Sequence, residues 1–397
     1  MVVLNASYLL VLLFCGSGVL STPLCLTGDF DAQLQHILHT QVDYAQDPEL
    51  IISRVLDDVR ATLSQRWQGF KLFPYGSLTS GLGTKSSDLD ISLHLPNFNY
   101  SSALYVIEET RQLIQKQPDL YIHLSSSHKP THTRYSFIYI PTQQRIDLIY
   151  QLFTSGEEVI ATSKLLKYYF SLDKRNLTLA RFLKYLFNIH GLTGSATSLV
   201  SYTMYLVLIF YLQQKNMAPP VYVLQEDTES VFYRNWDVNF NELPYNTTNI
   251  ENLHQLLGGF FKYYSEFNFE EYIVSPYTGR PIPKSALIDI ENLPKEHFLN
   301  NFFNRTILRK ISSGLNCTEL CIQAPLHLSV NKGVRISHVY VTKFKYFVKS
   351  VARMFADLPS ESVLRAILLV DERQEIVPNR NNSTGDVMNQ ENCIEVS

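Results

Sequence analysis

The sequence has few cysteines, few charged residues and no long apolar run. Five cysteines in 397 residues exclude a small, disulfide-dense scaffold. The longest apolar run, Leu9–Cys15, is far shorter than the roughly 18–20 residues that a membrane-spanning helix needs. Only 18% of the residues are charged, which excludes a coiled coil, and the net charge of −3 excludes a uniformly basic coat for nucleic acid.

Apolar residues, by contrast, are abundant. They make up 45% of the chain, and aromatic residues alone make up 12%. A chain of this length and composition can form two or three domains, each with its own core. We therefore expect a soluble globular protein without stable membrane insertion, and we find no internal repeat.

The N-terminal segment, residues 1–27, lacks basic residues, since no lysine or arginine precedes Arg54. It therefore has neither the basic start of a secretory signal nor the arginines of a mitochondrial transit peptide. The apolar stretch Tyr8–Cys15 and the small residues after it nevertheless resemble the rest of a secretory signal. We interpret residues 1–27 as a hydrophobic leader that is cleaved, a leader particular to this chain, or a buried segment.

Two kinds of periodicity divide the remaining chain. Apolar residues between positions 51 and 63 recur at helical spacing and predict an amphipathic helix over about 46–65. From about 67 to 153 the period is closer to two, with a strand over 88–95 and a hairpin formed by 134–140 and 145–150. After Gly156 the predicted helices are 157–171, 178–190, 195–214, 251–266 and 338–357.

These patterns predict an α+β protein, with a small sheet-containing domain followed by a larger helical one. We expect five parts in chain order. They are the leader at 1–27, N-terminal helices at 28–66 that pack on the helical domain, a sheet domain at 67–155, the helical domain at 156–370, and a disordered tail at 371–397.

A glycine-serine corner, Gly76–Ser77, ends the first predicted strand. Glycine lets the backbone approach a ligand closely, and free N–H groups at a following helix start favour phosphate. Alone the signal is weak, because Gly-Ser is common at ordinary turns.

Three acids in predicted strands point to metal chemistry. Asp88 and Asp90 alternate with leucine and isoleucine, so both project from the same strand face. Asp147 lies inside a later strand, where an aspartate is disfavoured unless it binds a cation or a hydrogen-bond partner. If the two strands are neighbours, three carboxylates converge on a site suited to two Mg²⁺ (or Mn²⁺) ions for phosphoryl transfer.

This combination resembles the nucleotidyltransferase superfamily, and the helical half is similar to the noncanonical poly(A) and poly(U) polymerases. Within that family, the motifs are most similar to the mitochondrial poly(A) polymerases, which implies a mitochondrial or cytoplasmic protein. The fold implied is a polymerase-beta-like palm with a mixed sheet, followed by an all-helical domain of the type associated with poly(A) polymerases. The motifs are Pro74–Ser77, Asp88–Asp90, Ala161–Leu166, Leu165–Arg175, Leu183–Lys184, Gly191–Thr193, Val200–Gln213, Pro219–Pro220, Leu256–Tyr264, Ile322–Pro325 and Ser329–Asn331.

The resemblance implies template-independent transfer of a nucleotide, most often AMP from ATP, to the 3′-hydroxyl of single-stranded RNA. Asp88, Asp90 and Asp147 would be the catalytic and metal-binding residues. Residues implied to bind the nucleotide are Gly76, Ser77, Thr162, Lys184, Ser201 and Tyr202. The lysine would neutralise triphosphate charge, and the tyrosine would stack on the base.

Departures from the family pattern keep alternatives open. Many relatives carry a second lysine four residues after the first, where this chain has Asn188, and the ribose-contacting asparagine of many relatives aligns with Thr162. Uridylyl-adding relatives often have a histidine where Val330 stands, which favours ATP over UTP. The alternatives are a terminal uridylyltransferase and a weakened paralogue that only binds RNA, and a homodimer is also compatible with the sequence.

Two groups of basic residues are candidates for binding RNA, although ordinary solvated helix faces look the same. From the first group we select Lys174 and Arg175. From the second we select Lys343, Lys345 and Lys349. Cys317 and Cys321 have no second ligand pair for zinc, so we expect ordinary thiols.

Overall fold

The computed structural model describes residues 24–43, 47–96, 102–129, 132–150, 156–194, 197–233, 235–299, 304–370 and 393–394. The helices are α1 Phe30–Ile37, α2 Pro48–Leu63, α3 Ala103–Gln115, α4 Gly156–Ser171, α5 Lys174–Ile189, α6 Ser201–Gln214, α7 Val221–Leu224, α8 Leu253–Glu266, α9 Glu296–Leu299, α10 Arg305–Gly314, α11 His338–Asp357 and α12 Ser360–Leu368. The strands are β1 Leu24–Cys25, β2 Lys71–Tyr75, β3 Leu89–His94, β4 Tyr121–Lys129, β5 His132–Tyr139, β6 Gln144–Tyr150, β7 Phe232–Tyr233, β8 Trp236–Asp237, β9 Tyr272–Ile273, β10 Ile282–Pro283 and β11 Cys393–Ile394.

The sheet domain is built on one mixed sheet with the strand order β2-β3-β6-β5-β4. Strands β3 and β6 are parallel, while the other neighbouring pairs are antiparallel. The predicted hairpin is confirmed as β5 and β6, which a 3-10 turn at Ile140–Thr142 connects. The parallel pair requires a long crossover, and helix α3 supplies part of it. That helix lies within a stretch whose sequence favoured strands.

Helix α2 forms where the apolar spacing predicted it. Its N-cap Asp47 accepts a hydrogen bond from the Glu49 amide at 2.9 Å, and Pro48 occupies the first turn. Its buried face, which includes Val55 and Val59, belongs to the core under the sheet. The expectation that all of residues 28–66 pack on the helical domain is therefore wrong for α2, although α1 does pack there.

The helical domain has its own core around α6. Residues Thr203–Gln213 of this helix are all buried, because other helices surround it. Helix α6 begins at Ser201 rather than at the predicted residue 195, and α5 begins at Lys174 rather than at 178. The start of α6 is therefore at the residues that the family resemblance assigned to nucleotide binding.

The two chain ends differ in part from their predicted roles. Residues 1–23 of the leader and residues 371–392 and 395–397 of the tail lie outside the described residues. Leu24 and Leu26, however, are buried in the helical core, and β1 pairs antiparallel with β11. Residues 24–27 therefore belong to the folded domain rather than to a detachable leader.

Cys317 and Cys321 form a disulfide, with their Cα atoms 5.0 Å apart. The expectation of ordinary thiols is therefore wrong, because the chain between them turns and brings the two sulfurs together. Within the described part of the chain, no helix combines the length and the apolar character needed to cross a bilayer.

Candidate active site

Sheet register brings the three acids together. In the parallel pair, Asp90 of β3 is opposite Asp147 of β6, and Asp88 immediately precedes β3. On the other side of β3, Tyr75 is opposite Asp90, so the glycine-serine corner follows directly at this end of the sheet. The predicted meeting of the acids at Gly76–Ser77 is thus a direct consequence of strand pairing.

Asp147 is held at both of its oxygens. The Ser136 hydroxyl donates to Oδ1 at 2.7 Å, and Arg134 Nη1 donates to Oδ2 at 2.8 Å. Both partners come from β5, where Ser136 is the register partner of Asp147. The side chain of Asp147 is only 7% exposed, so these contacts supply the hydrogen bonds that a buried carboxylate needs. Neither residue was predicted from the sequence.

Arg145 lies between two of the acids. Its Nε is 3.5 Å from Asp88 Oδ2 and 3.8 Å from Asp147 Oδ1. With Arg134, it offsets part of the negative charge that the three acids concentrate. Among the residues that the structure describes, no three histidine, cysteine or acidic side chains form a ready-made metal cluster.

The charge at this end of the sheet is nevertheless suited to cations. Burial, reinforced by the neighbouring Asp147 and Asp88, raises the pKa of Asp90 to about 7. Burial also raises the pKa of Asp88, an effect that Arg145 opposes. Mutual repulsion among oxygen donors is relieved by a hard divalent cation, and Mg²⁺ typically uses one or two protein carboxylates with substrate phosphates. The donor set therefore fits such ions.

Gly76 has a backbone that only glycine adopts easily. Its φ is +85°, and a Cβ built there would overlap the Asp90 carboxylate. The Gly76 amide donates to Ser163 Oγ at 2.9 Å, which ties the corner to helix α4. Glycine is therefore required here both by φ and by the close approach of an acid.

Lys184 extends from α5 toward the acids. Its Nζ donates to Ser87 Oγ at 3.1 Å and to the Leu82 carbonyl at 3.4 Å. Burial, together with nearby Arg181, lowers the pKa of Lys184 to about 8, while Asp88 and Asp90 oppose this effect. An anion that binds beside Lys184 favours the charged form of the ammonium.

A cavity of about 460 Å³ connects the sheet with the helices. Every residue that the resemblance assigned to nucleotide binding lines it. Ser201 and Tyr202 form the first turn of α6, and no side chain caps the N–H groups there. The lining residues are Tyr75, Gly76, Ser77, Ser80, Asp90, Glu158, Val159, Thr162, Ser163, Leu166, Lys184, Ser201, Tyr202, Tyr205 and Lys332.

The proposed RNA-binding residues have different surroundings. Arg175 is engaged within the fold by Asp173 and by the backbone of Glu251. Lys345 pairs with Glu319 at 2.6 Å. Both contacts are sufficient to give these two cations a structural role.

The remaining three RNA-binding candidates lie on helix surfaces. Lys174 and Lys349 are exposed, at the start of α5 and on α11. Lys343 of α11 is half-buried. The exposed lysine of α11, Lys349, follows several aromatic residues in the sequence. The second basic group therefore combines an exposed lysine with aromatic neighbours along the chain.

Paired acids on adjacent strands of a mixed sheet, a glycine-serine corner and a helical domain across a cavity are together the features of a nucleotidyltransferase fold. Two family models match the chain. One, described as poly(A) RNA polymerase, mitochondrial-like, central palm domain, matches residues 31–170. The other, described as Cid1 family poly A polymerase, matches residues 252–329. The chain belongs to the noncanonical poly(A)/poly(U) polymerase family.

Curated relatives agree with this assignment. The chain is 29% identical over 227 residues to poly(A) RNA polymerase GLD2 of Danio rerio. This alignment covers 54% of this chain and 45% of the relative. It is 27% identical over 254 residues to terminal uridylyltransferase 7 of Homo sapiens, covering 57% of this chain and 16% of the relative. The chain thus spans less than half the length of these relatives.

Solved structures share the fold. A crystal structure of mtPAP in complex with ATPγS superposes with a TM-score of 0.69 at 17% identity, covering 86% of this chain and 71% of that one. A structure of the Cid1 poly(U) polymerase with Mg and 3′-dATP bound gives a TM-score of 0.65 at 17% identity, covering 84% and 96%. The expected palm and helical domain are confirmed.

Proposed function

We propose that this protein adds AMP from ATP to the 3′-hydroxyl of single-stranded RNA without a template. The observation that carries the proposal is the register that pairs Asp90 with Asp147 beside Asp88, at one end of a cavity large enough for a nucleotide. Family membership supports the RNA substrate, and Val330 favours ATP over UTP.

Asp88, Asp90 and Asp147 are the residues that would hold two Mg²⁺ or Mn²⁺ ions. When bound, such ions neutralise phosphate charge and favour the ionised form of an attacking hydroxyl. The raised pKa of Asp90 is consistent with this role. Asp147 and Asp88 repel a negative charge on Asp90, and a bound cation would relieve that repulsion.

The chain's own groups position the reactants. Ser77 and Lys184 bind the triphosphate, while the free N–H groups at Ser201 and Tyr202 favour its negative charge. The RNA 3′-oxygen forms a bond to the α-phosphorus, the bond to the bridging oxygen breaks, and pyrophosphate leaves. Asp147 accepts the hydroxyl proton, and Ser136 and Arg134 hold its carboxylate in place.

The test is extension of a labelled single-stranded RNA by purified protein with Mg²⁺ and each of the four nucleotides in parallel. We expect ATP to be used best. Preferential use of UTP would replace the adenylyl assignment with a uridylyl one. No extension with any nucleotide would contradict the proposed function.

We place this activity in the mitochondrion or the cytoplasm, on the basis of the family resemblance. Fluorescent fusions with and without residues 1–23, which leave the buried Leu24 and Leu26 in place, test the placement. Entry of the full-length fusion into the secretory pathway would contradict it.

A further inference from the structure

The disulfide between Cys317 and Cys321 has no part in the proposed phosphoryl transfer. It closes a short loop, with the two Cα atoms 5.0 Å apart. Cys321 is fully buried and Cys317 is half-buried, so a reductant approaches the bond from the Cys317 side. In the cytoplasm, one of the compartments in which we place the protein, thiols are kept reduced and a disulfide is usually transient or redox-sensing.

The loop that this disulfide closes contacts the turn at residues 331–333. Asn331 Nδ2 donates to the Asn316 carbonyl at 2.8 Å, immediately before the first cysteine. Inside the loop, the Thr318 hydroxyl is 3.4 Å from the Gly333 carbonyl and donates to it. The loop therefore contacts both ends of the turn.

The loop and the turn are also packed without space between them. A Cβ at Gly333 would overlap the Leu320 carbonyl oxygen, which belongs to the loop. Just after the loop, the Ile322 carbonyl accepts from the Lys332 amide at 2.8 Å. The position of Lys332 at the centre of the turn therefore depends on the conformation of the closed loop.

The turn places Lys332 over an aromatic ring in the nucleotide cavity. Lys332 and Tyr202 both line this cavity, and the lysine Nζ is 5.4 Å from the centroid of the Tyr202 ring. A nucleobase that stacks on an aromatic side chain lies over the same ring face. The ammonium thus occupies the position that a stacked base requires.

We propose that Cys317 and Cys321 are a redox-modification site, at which the disulfide inhibits ATP binding by holding Lys332 over Tyr202. The inference rests on the proposed function and on the stacking of the base on Tyr202 that the family resemblance implies. Reduction opens the loop, the turn at residues 331–333 gains freedom, and Lys332 leaves the ring face to the base.

A dithiol supplies the two electrons and two protons that this reduction requires. One of its thiolates attacks Cys317 Sγ, the bond between the two cysteine sulfurs breaks, and Cys321 leaves as a thiolate that takes up a proton. The second thiol of the dithiol then releases Cys317 as a thiol and closes the disulfide of the oxidised reductant. Oxidation by a disulfide reverses these steps.

The test is calorimetric binding of ATP to the full chain with Mg²⁺ and no RNA, before and after reduction with dithiothreitol. Mass spectrometry after alkylation reports the state of the cysteine pair. Reduction should strengthen ATP binding of the unmodified chain about fivefold, the lower end of typical coupling between two sites. Cys317→Ser, which cannot form the bond, should bind ATP like the reduced chain with or without dithiothreitol.

Two further variants separate this disulfide from other causes. Lys332→Ala keeps the disulfide but removes the ammonium from Tyr202, so it should bind ATP about fivefold more tightly before reduction and should not respond to dithiothreitol. Cys25→Ser is the matched control, because Cys25 in β1 is also disulfide-bonded. This variant should respond to dithiothreitol as the unmodified chain does.

Unchanged or weaker ATP binding after reduction would overturn the proposal. A response to dithiothreitol that persists in Cys317→Ser would also overturn it, as would weaker ATP binding by Lys332→Ala. Because RNA is absent, ATP binding that responds to reduction without any extension of RNA would count against the proposed function alone.

Discussion

The two ends of the cavity are built by different means. At the sheet end, hydrogen-bonded register places Asp90 against Asp147, and two arginines compensate the acids. At the helical end, Tyr202 and Lys332 meet only because a helix start and a distant turn pack together. The first end carries concentrated charge for chemistry, whereas the second carries an aromatic ring and a lysine that lies over it.

This difference predicts how each end responds to substitution. Changes at the sheet end should abolish turnover, because the reaction requires every carboxylate. Loss of the stacking ring at the helical end should weaken nucleotide binding while leaving turnover measurable, because stacking contributes modestly.

The largest effect should follow from removing an acid. Asp88→Ala or Asp90→Ala should lower the rate of RNA extension by about 10³-fold or more, since metal-assisted charge stabilisation supplies several kcal/mol. Asp57→Ala is the control, because Asp57 is exposed on α2, where it pairs with the equally exposed Arg60. Near-normal extension by both the Asp88 and the Asp90 variant would show that chemistry does not occur at the sheet end.

The next largest loss of RNA extension should follow from a substitution in the glycine-serine corner. Gly76→Ala forces a methyl group toward Asp90, so we expect about a 10²-fold loss of extension through misplacement of the acid. Gly81→Ala is a close control, since Gly81 also has a positive φ of +74° but a methyl group at that position would have nothing within 4 Å. The positive φ alone should cost both variants about 1 kcal/mol of unfolding free energy, and Gly76→Ala should lose more because its methyl group also meets Asp90. Equal losses of activity in the two variants would contradict the specific role of the corner.

At the helical end, Tyr202→Ala should raise the KM for ATP about tenfold, because a base-aromatic stack contributes about 1–3 kcal/mol. Tyr202→Phe keeps the ring and should retain nearly normal KM. A fall in kcat with no change in KM would mean that Tyr202 belongs functionally with the sheet end.

The pH dependence of ATP binding tests whether the positive charge of Lys184 contributes to ATP affinity. Because the pKa of Lys184 is about 8, the lysine loses its positive charge as pH rises through that value, and ATP binding should weaken severalfold. Lys184→Arg stays protonated, so its ATP affinity should not fall over the same pH range. A parallel fall in both proteins would assign the titration to another group.

The smallest expected effect is a gain in ATP affinity. Asn188 lines a second cavity of about 200 Å³ next to Lys184 and Ser201. Asn188→Lys adds a cation there, and we expect ATP affinity to rise about threefold while AMP, which lacks the outer phosphates, binds as before. An equal gain for AMP would place the new charge away from the triphosphate.

Much of the sheet end was predictable because its signals are local. The alternation around Asp88 and Asp90 predicted a strand with both acids on one face, and pairing with β6 required only that the strands be neighbours. Arg134 and Ser136 were missed, because their contacts with Asp147 depend on which residues become cross-strand partners.

The helical end was less predictable because it depends on long-range packing. Tyr202 was found through a family motif, whereas Lys332 looks like any surface lysine until the fold places it beside Tyr202. The start of α6 was placed too early, since an apolar run alone does not locate a helix terminus. The packing of α2 on the sheet was missed because it is a long-range contact. The Cys317–Cys321 bond was missed because it depends on a local turn that the spacing of the two cysteines does not predict.

The most direct test of the central claim is the rate of RNA extension by Asp147→Asn with ATP and Mg²⁺. Asparagine preserves the size of the side chain between Ser136 and Arg134 but removes the charge and the proton acceptor. We expect a folded protein with no measurable extension. Extension at the rate of the unmodified chain would show that the paired strands do not form the active site.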